Sequence, residues 1–197
     1  MANNIEIEAK VLIDEKSYQK VKEHYKKYVT SQYTQTNYYI DTTDFELRNK
    51  GIGLRIREKN NKYELTLKTP LSEGLLEKTD PITQEQFLDL KDKNIFPDTN
   101  IKTFILMLGF DFDISQLKIL ASLVTERIDV EFDTGIFSID KNTYLGHVDY
   151  ELEKEHNNLK EAENFLVDVC KKCQIDYTIN KVSKEARTLN ALKEQSK

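Results

Sequence analysis

The sequence lacks several features that would assign a function at once. It has no apolar stretch of the roughly 18–20 residues that a membrane-spanning helix needs. Its first segment, MANNIEIEAK, has no basic region followed by an apolar core, so it does not form a signal peptide. Neither a GxxxxGK[ST] nor a GxGxxG pattern is present, which excludes a P-loop and a dinucleotide-binding turn. These absences predict a cytoplasmic protein with another kind of site.

Cysteine and histidine are scarce. Cys170 and Cys173 form a C-x-x-C, but a zinc site would need two further ligands, and the three histidines have no paired spacing. The motif lies late in a helical pattern over roughly 158–173, where Cys173 falls on the apolar stripe. We therefore predict that Cys173 is a core residue and that the motif binds no metal.

An excess of positive charge is also absent, because the formal net charge is −5. This charge argues against nonspecific nucleic-acid binding, but it is compatible with an enclosed basic site for a small polyanion. No repeat, low-complexity segment or linker divides the chain. We therefore expect one domain over residues 1–197.

Short strands with alternating apolar and charged residues are the main signal that is present. Residues 5–12 predict the first strand, and residues 47–69 predict two strands joined by a polar turn at 59–62. Further turns are expected at residues 133–135 and around 141–142.

Helices are predicted between these strands. Thr83 begins one helix as its N-cap, with Gln86 at the capping-box position, and Ser183 begins the last helix. Gly109 is expected to end another. Many antiparallel strands with inserted helices indicate an α+β fold.

One face of nearly every predicted strand carries charges of both signs. The alternating charged positions are Glu6, Glu8, Lys10, Arg55, Arg57, Glu64, Lys68, Arg127, Asp129, Glu131, Glu151 and Glu153. A one-sided sheet with a solvated face would explain them. However, these faces hold few Ser, Asn or Gln, and the amphipathic helices suffice to cover the apolar faces. A barrel of about eight strands with the charges inside is the alternative, and its interior holds one small ligand.

Enclosed charges of both signs need partners. Carboxylates are hard oxygen ligands for Mg²⁺ or Mn²⁺, and guanidinium and ammonium groups bind phosphate oxygens. A divalent ion between protein carboxylates and a chain of phosphates satisfies both sets, which predicts a metal-dependent polyphosphate site.

An ordered set of motifs resembles a known family. E-x-E-x-K is present as Glu6-Ile7-Glu8-Ala9-Lys10, and it is followed in order by LRNKGIGLRIR, YELTLKT, TERIDVEF, FSIDKNTYLG, YELE and SKEART. This set is similar to the CYTH domain, or triphosphate tunnel metalloenzyme, superfamily, and above all to its small stand-alone members from Gram-positive bacteria. The resemblance implies an eight-stranded antiparallel β-barrel, a tunnel with helices packed outside, that binds triphosphate compounds with Mg²⁺ or Mn²⁺.

The resemblance also implies roles for single residues. The metal ligands are expected to be Glu6, Glu8, Glu151 and Glu153, with Asp140 as a further candidate. The phosphate-binding residues are expected to be Lys10, Arg55, Arg57, Lys68, Arg127, Lys184 and Arg187. The catalytic set is Glu6, Glu8, Lys10, Glu151 and Glu153, in which either Glu151 or Glu153 orients the attacking water.

One position departs from the family pattern. Glu77 matches a further acidic position, and many members have a basic residue two positions before it, where this chain has Leu75. We expect that one phosphate contact is either missing or supplied by Lys78.

The leading hypothesis is a metal-dependent triphosphatase. Inorganic triphosphate is the preferred substrate, because no appended domain would recognise a base. The first alternative is a class IV adenylyl cyclase, which converts ATP to cyclic AMP and pyrophosphate at the same metal site. The second is a polyphosphate- or nucleotide-binding module without turnover, although anion binding alone would need only the basic residues. We expect a small-molecule triphosphate substrate and no nucleic-acid or membrane partner, and we leave a homodimer open.

Overall fold

Nine β-strands, six α-helices and one 3₁₀-helix (Ile114–Gln116) make up the secondary structure of a computed structural model that describes residues 2–72, 74–178 and 180–195. The strands are β1 (Ala2–Glu6), β2 (Glu8–Ile13), β3 (Ser31–Asp41), β4 (Gly53–Lys59), β5 (Lys62–Pro70), β6 (Leu75–Ile82), β7 (Lys118–Phe132), β8 (Gly135–Tyr144) and β9 (His147–Glu155). The helices are α1 (Glu15–Tyr25), α2 (Glu46–Asn49), α3 (Gln84–Lys93), α4 (Asn100–Met107), α5 (Leu159–Cys173) and α6 (Lys184–Gln195). In the part of the chain so described, no helix is both long and apolar enough to cross a membrane.

The chain divides into two compact units. The first unit comprises Met1–Glu6, Gln35–Leu123 and Thr188–Lys197, and the second unit comprises Ile7–Thr34 and Val124–Arg187. The expectation of one domain over residues 1–197 stays a prediction.

The strands follow the order β1-β6-β5-β4-β3-β7-β8-β9-β2 in one sheet. The two end strands of this order, β1 and β2, are consecutive in the chain and are separated by Ile7. The predicted α+β fold with the topology of an antiparallel barrel is thereby confirmed. The strand count is nine and not eight, because the first predicted strand is interrupted at Ile7, so that β1 pairs with β6 and β2 pairs with β9.

Alternation along the strands gives the sheet of each unit one apolar face. In the second unit, residues such as Val11, Ile139 and Leu152 form a buried core with α1 and α5. Cys170 and Cys173 lie in this core, as predicted for Cys173. The charged residues occupy the opposite face of the same strands.

The first unit repeats this arrangement with other helices. The apolar residues of β4 and β5, among them Leu54, Ile56 and Leu67, pack with Phe87 of α3 and Ile101 of α4. The helices therefore cover the apolar face of the sheet in each unit, as the sequence predicted.

The predicted helix ends are confirmed. Thr83 and Gln86 form a capping box at the start of α3, with N···O distances of 2.9 and 3.1 Å. The hydroxyl of Ser183 accepts the N–H of Ala186 at 3.1 Å before α6. Gly109 follows the end of α4 in a left-handed conformation, with φ +66°.

Two local predictions are wrong. Residues 46–49 form α2 and no strand, because the buried carboxylate of Asp41 accepts the N–H groups of Leu47 and Arg48 and thus caps a short helix. The turn expected around residues 141–142 is absent, since β8 continues to Tyr144. The chain turns instead at residues 145–146, where both residues have positive φ.

The close approach at Gly135 generates a prediction about stability. Gly135 begins β8 with φ +110°, and an added Cβ would lie 2.4 Å from the backbone oxygen of Glu155. We expect Gly135→Ala to lower the free energy of unfolding by about 3 kcal/mol, measured by urea denaturation.

Gly146→Ala is the matched control for this change. Gly146 also has a positive φ of +81°, but nothing lies within 4 Å of an added Cβ. The control should lose about 1 kcal/mol through its backbone conformation alone. Equal losses in the two variants would show that the contact with Glu155 has no energetic effect.

Candidate active site

A cluster of ionisable residues lies on the charged sheet face of the second unit. Strand register brings its members together, because Arg127 of β7 is opposite Asp140 of β8, which is opposite Glu151 of β9. Glu153 is opposite Lys10 of β2. We call the whole set the second-unit cluster: Glu8, Lys10, Arg127, Asp140, Asp149, Glu151, Glu153, Lys184 and Arg187. It contains five carboxylates and four cations, so one carboxylate is in excess.

Arg127 and Lys184 hold the most deeply buried carboxylates. Asp140 and Glu151 are fully buried, and Glu153 is nearly so. Arg127 binds Asp140 through two hydrogen bonds of 2.8 and 2.6 Å and also contacts Glu153. The Lys184 ammonium forms ion pairs with Asp140, Glu151 and Glu153 at 2.8, 3.0 and 2.5 Å. Two cations thus pair with all three carboxylates and offset two of the three negative charges.

Arg187 uses its guanidinium to hold two acids of β9. Its Nε donates to Asp149 Oδ2 at 2.9 Å, and its Nη2 donates to Glu151 Oε2 at 2.9 Å. Asn180 adds an amide hydrogen bond of 2.8 Å to Glu151 Oε1. Tyr144 donates its hydroxyl to Asp149 at 2.9 Å. Glu151 is therefore fixed by Lys184, Arg187 and Asn180 together.

Lys10 and Glu8 lie next to each other on β2. The Lys10 ammonium pairs with Glu8 and lies 4.0 Å from Glu153 Oε1. Burial would lower the pKa of Lys10, but the nearby carboxylates, Glu8 first, raise it above its usual value. Lys10 is therefore a fixed cation at neutral pH.

The carboxylates of β9 are ionised despite their burial. Burial would raise the pKa of Glu153, but Lys184 and Arg127 hold it well below its usual value. Burial acts in the same way on Glu151, whose pKa is nevertheless lowered, chiefly by Lys184. The face thus presents negative oxygens and positive nitrogens in direct contact at neutral pH.

A smaller cluster lies on the charged sheet face of the first unit. We call it the first-unit cluster, and it contains Glu6, Arg55, Arg57, Lys68 and Glu77. Lys68 contacts Glu6 and lies 2.7 Å from Glu77, which is 3.5 Å from the Arg55 guanidinium. Burial would raise the pKa of Glu77, yet Lys68 and Arg55 lower it. Cations outnumber carboxylates here by three to two.

The structure of the first unit shows whether Lys78 lies on the charged face, as a phosphate contact would require. Leu75 lies on the charged face, where it is paired in register with Glu6. Lys78 lies on the opposite face, paired with the core residue Leu67, and its ammonium is 4.6 Å from the centroid of the Phe104 ring. Of the two expected alternatives, a phosphate contact supplied by Lys78 is therefore wrong, because strand alternation directs this side chain to the apolar core; a missing contact stays a prediction.

The partners of the buried carboxylates differ from the prediction. The sequence predicted that a divalent ion would satisfy these carboxylates, whereas Lys10, Arg127, Lys184 and Arg187 pair with them directly. Asp149 and Asn180 were not predicted as members of the site. Asp149 could have been found, because it lies two residues before Glu151 on the same strand face. Asn180 lies in an irregular segment that carries no periodic signal.

Oxygen donors of this kind fit Mg²⁺ or Mn²⁺ in their chemistry. In the described ranges, no group of three or more His, Cys, Asp or Glu residues is arranged to hold a metal ion. The three most buried carboxylates converge instead on the Lys184 ammonium. The donor set therefore suits a divalent ion, and a protein cation lies at the point of convergence.

Comparison with known proteins decides the family. The CYTH domain profile matches residues 4–189. The chain belongs to the CYTH domain family. The resemblance predicted from the motifs is thereby confirmed.

Two similar CYTH proteins come from Bacillus. The chain is 35% identical over 157 residues to "Putative triphosphatase YjbK" of Bacillus subtilis. This match covers 79% of this chain and 79% of the relative. A crystal structure of a Bacillus halodurans protein described as a "putative adenylate cyclase" is 30% identical, has a TM-score of 0.83, and the match covers 95% of this chain and 98% of that one.

A protein from Hippeastrum shares the fold. It is described as a "putative adenylyl cyclase" with a dominant triphosphatase activity, and its structure matches with a TM-score of 0.78 and 22% identity. The match covers 94% of this chain and 96% of that chain.

The pairing of carboxylates with cations generates a second prediction. Glu153→Gln keeps the shape of the side chain but removes the charge that Lys184 and Arg127 neutralise. We expect the free energy of unfolding in metal-free buffer to fall by about 1.5–3 kcal/mol, because Lys184 and Arg127 each lose one charge-assisted contact while they keep Asp140.

Glu131→Gln is the control, since Glu131 is an exposed carboxylate of β7 in the same unit. It should change stability by less than about 0.5 kcal/mol. A Glu153→Gln variant that is as stable as the wild type, or more stable, would mean that repulsion among the carboxylates outweighs their pairing.

Proposed function

We propose that this CYTH protein is a divalent-metal-dependent triphosphatase and that inorganic triphosphate is its preferred substrate. The observation that carries the proposal is the second-unit cluster, where ionised carboxylates and fixed cations share a buried sheet face. Oxygen ligands for a metal and nitrogen donors for phosphate are both needed for phosphoryl transfer. The 35% identical relative named as a triphosphatase supports the same activity. The cytoplasmic location and the homodimer stay predictions.

Phosphate binding is assigned to the basic residues of the charged faces. In the second unit these are Lys10, Arg127, Lys184 and Arg187, and in the first unit Arg55, Arg57 and Lys68. Each of these donors is held in place by a carboxylate or an amide oxygen. Such preorganised cations stabilise the charge that develops on phosphate oxygens without further reorganisation.

Metal binding is assigned in the second unit to Glu8, Glu151 and Glu153, with Asp140 as a further candidate, and in the first unit to Glu6. When bound, Mg²⁺ or Mn²⁺ neutralises phosphate charge and lowers the pKa of the attacking water. Glu151 and Glu153 are both ionised, and either can accept a hydrogen bond that orients a water molecule. Lys10, next to Glu8 and close to Glu153, is positioned to stabilise negative charge on the transferred group.

A class IV adenylyl cyclase is the second candidate. It is supported by the 30% identical Bacillus halodurans structure, which is described as a "putative adenylate cyclase". In that reaction the ribose 3′-hydroxyl of ATP replaces water as the nucleophile. The same acidic and basic residues would serve either reaction, so product analysis has to separate them.

A substrate panel tests the activity and its need for metal. We expect purified protein to release phosphate from inorganic triphosphate in the presence of Mg²⁺ or Mn²⁺, with less turnover of pyrophosphate, ATP and thiamine triphosphate. Excess chelator should abolish this turnover, because the carboxylates would lose the ion that links them to phosphate. Full turnover in chelator would contradict the metal assignment, and cyclic AMP with pyrophosphate as the main products of ATP would favour the cyclase.

Arg57→Ala tests the phosphate-binding role of the first unit. The Arg57 Nε donates to Asn37 Oδ1 at 3.2 Å on the charged face. Removing a charge-assisted contact of about 1.5–3 kcal/mol should lower kcat/KM for triphosphate by about tenfold to hundredfold.

Lys26→Ala is the matched control for a lost positive charge, since Lys26 is an exposed residue at the end of α1 that pairs with Glu23. Its kcat/KM should stay within about twofold of wild type. Equal, small effects of the two substitutions would mean that Arg57 does not contact the substrate.

A further inference from the structure

The ammonium of Lys184 lies where carboxylates of two neighbouring strands converge. Its Nζ is 2.8 Å from Asp140 Oδ2, 3.0 Å from Glu151 Oε2 and 2.5 Å from Glu153 Oε1. Arg127 pairs with two of these acids and Arg187 with one, whereas Lys184 pairs with all three. Its three N–H donors match the three acceptors.

Burial and charge show that this is a tight contact. The Lys184 side chain is only 12% exposed, and those of Asp140 and Glu151 are fully buried. Burial would lower the pKa of Lys184, but Asp140 and Glu151 raise it well above its usual value. The carboxylates therefore hold a permanent monovalent cation.

We propose that Lys184 is an internal counter-cation that a divalent metal ion must displace before Asp140, Glu151 and Glu153 can bind that ion. The inference rests on the metal assignment of the proposed function. Mg²⁺ binds oxygen at about 2.0–2.1 Å, and Mn²⁺ prefers the same hard ligands. An ammonium within 3.0 Å of the same oxygens would repel the ion strongly in a buried site.

The position of Lys184 in the chain allows this displacement. Lys184 is the first residue of α6, and it follows an irregular segment that begins after α5. Its ammonium is carried by a flexible four-carbon stem, so that it can withdraw without any change in strand register. Once withdrawn from these three carboxylates, the ammonium is available to phosphate oxygens. Metal entry and phosphate binding are thus coupled through one side chain.

Metal binding to a variant without this cation tests the inference. Mn²⁺ affinity is measured without substrate, by electron paramagnetic resonance of free Mn²⁺, for the wild type and for Lys184→Met. We expect the variant to bind Mn²⁺ about tenfold more tightly or better, because its internal competitor is gone. Lys181→Met is the control, since Lys181 is an exposed lysine three residues before Lys184, and its replacement should leave the affinity unchanged.

A second measurement uses the wild-type protein, so it holds even if Lys184→Met does not fold. Lysines are acetylated with acetic anhydride in the absence and presence of saturating Mn²⁺, and the extent at each lysine is read by mass spectrometry. We expect acetylation of Lys184 to rise severalfold with Mn²⁺, while that of Lys181 stays constant.

The outcomes separate this inference from the proposed activity. Two results would overturn the displacement and leave the triphosphatase proposal standing. In the first, the wild type binds Mn²⁺ and Lys184→Met binds it with equal or lower affinity. In the second, the acetylation of Lys184 does not rise with Mn²⁺. Absence of Mn²⁺ binding at millimolar concentration would overturn the displacement and the metal assignment together.

Discussion

Mutual neutralisation of buried charges is the interaction on which the rest of this structure depends. Asp140 and Glu151 have no exposure to solvent, and an ionised carboxylate in such a position is very unfavourable without a partner. Arg127 and Lys184 supply those partners at hydrogen-bond distance. Because the partners come from different elements, the contacts also fix strand register, since a slip of one residue would turn every charged side chain to the apolar face.

The charged faces in turn require that the helices cover the other side of each sheet. Alternation places Leu152 next to Glu151 and Glu153 on β9, but on the opposite face, in the core formed with α5. The same holds in the first unit, where Leu67 of β5 lies in the core and Lys68 lies in the charged cluster. Each sheet therefore separates an apolar layer from an ionic one, and the helix sequences need only match the apolar layer.

The sequence predicts which residues share a face better than it predicts which residues touch. Alternation placed Glu151 and Glu153 together, and it would also have placed Lys78 in the core had it been applied to β6. The pairing of Glu153 with Lys184, 31 residues later, depends on where α6 begins relative to the sheet, which periodicity does not encode. The interruption at Ile7 leaves the alternation intact, so the ninth strand had no signal.

Structural need alone does not account for so many buried ionic groups. Replacing a buried ion pair by apolar residues of similar volume is often neutral or stabilising, so a sheet face with five carboxylates and four cations is costly as a device for folding. A site that binds both a divalent ion and a chain of phosphates needs both signs of charge within a few ångströms of each other.

In the absence of ligands, the buried carboxylates and cations can only pair with one another. Under the proposed function, their internal pairs are a resting arrangement, in which each carboxylate–cation contact is exchanged for a carboxylate–metal contact and a cation–phosphate contact. Such an exchange is favourable only if the numbers of carboxylates and cations are nearly equal, as they are in the second-unit cluster. A large excess of either would leave unpaired buried charge before or after the ligands bind.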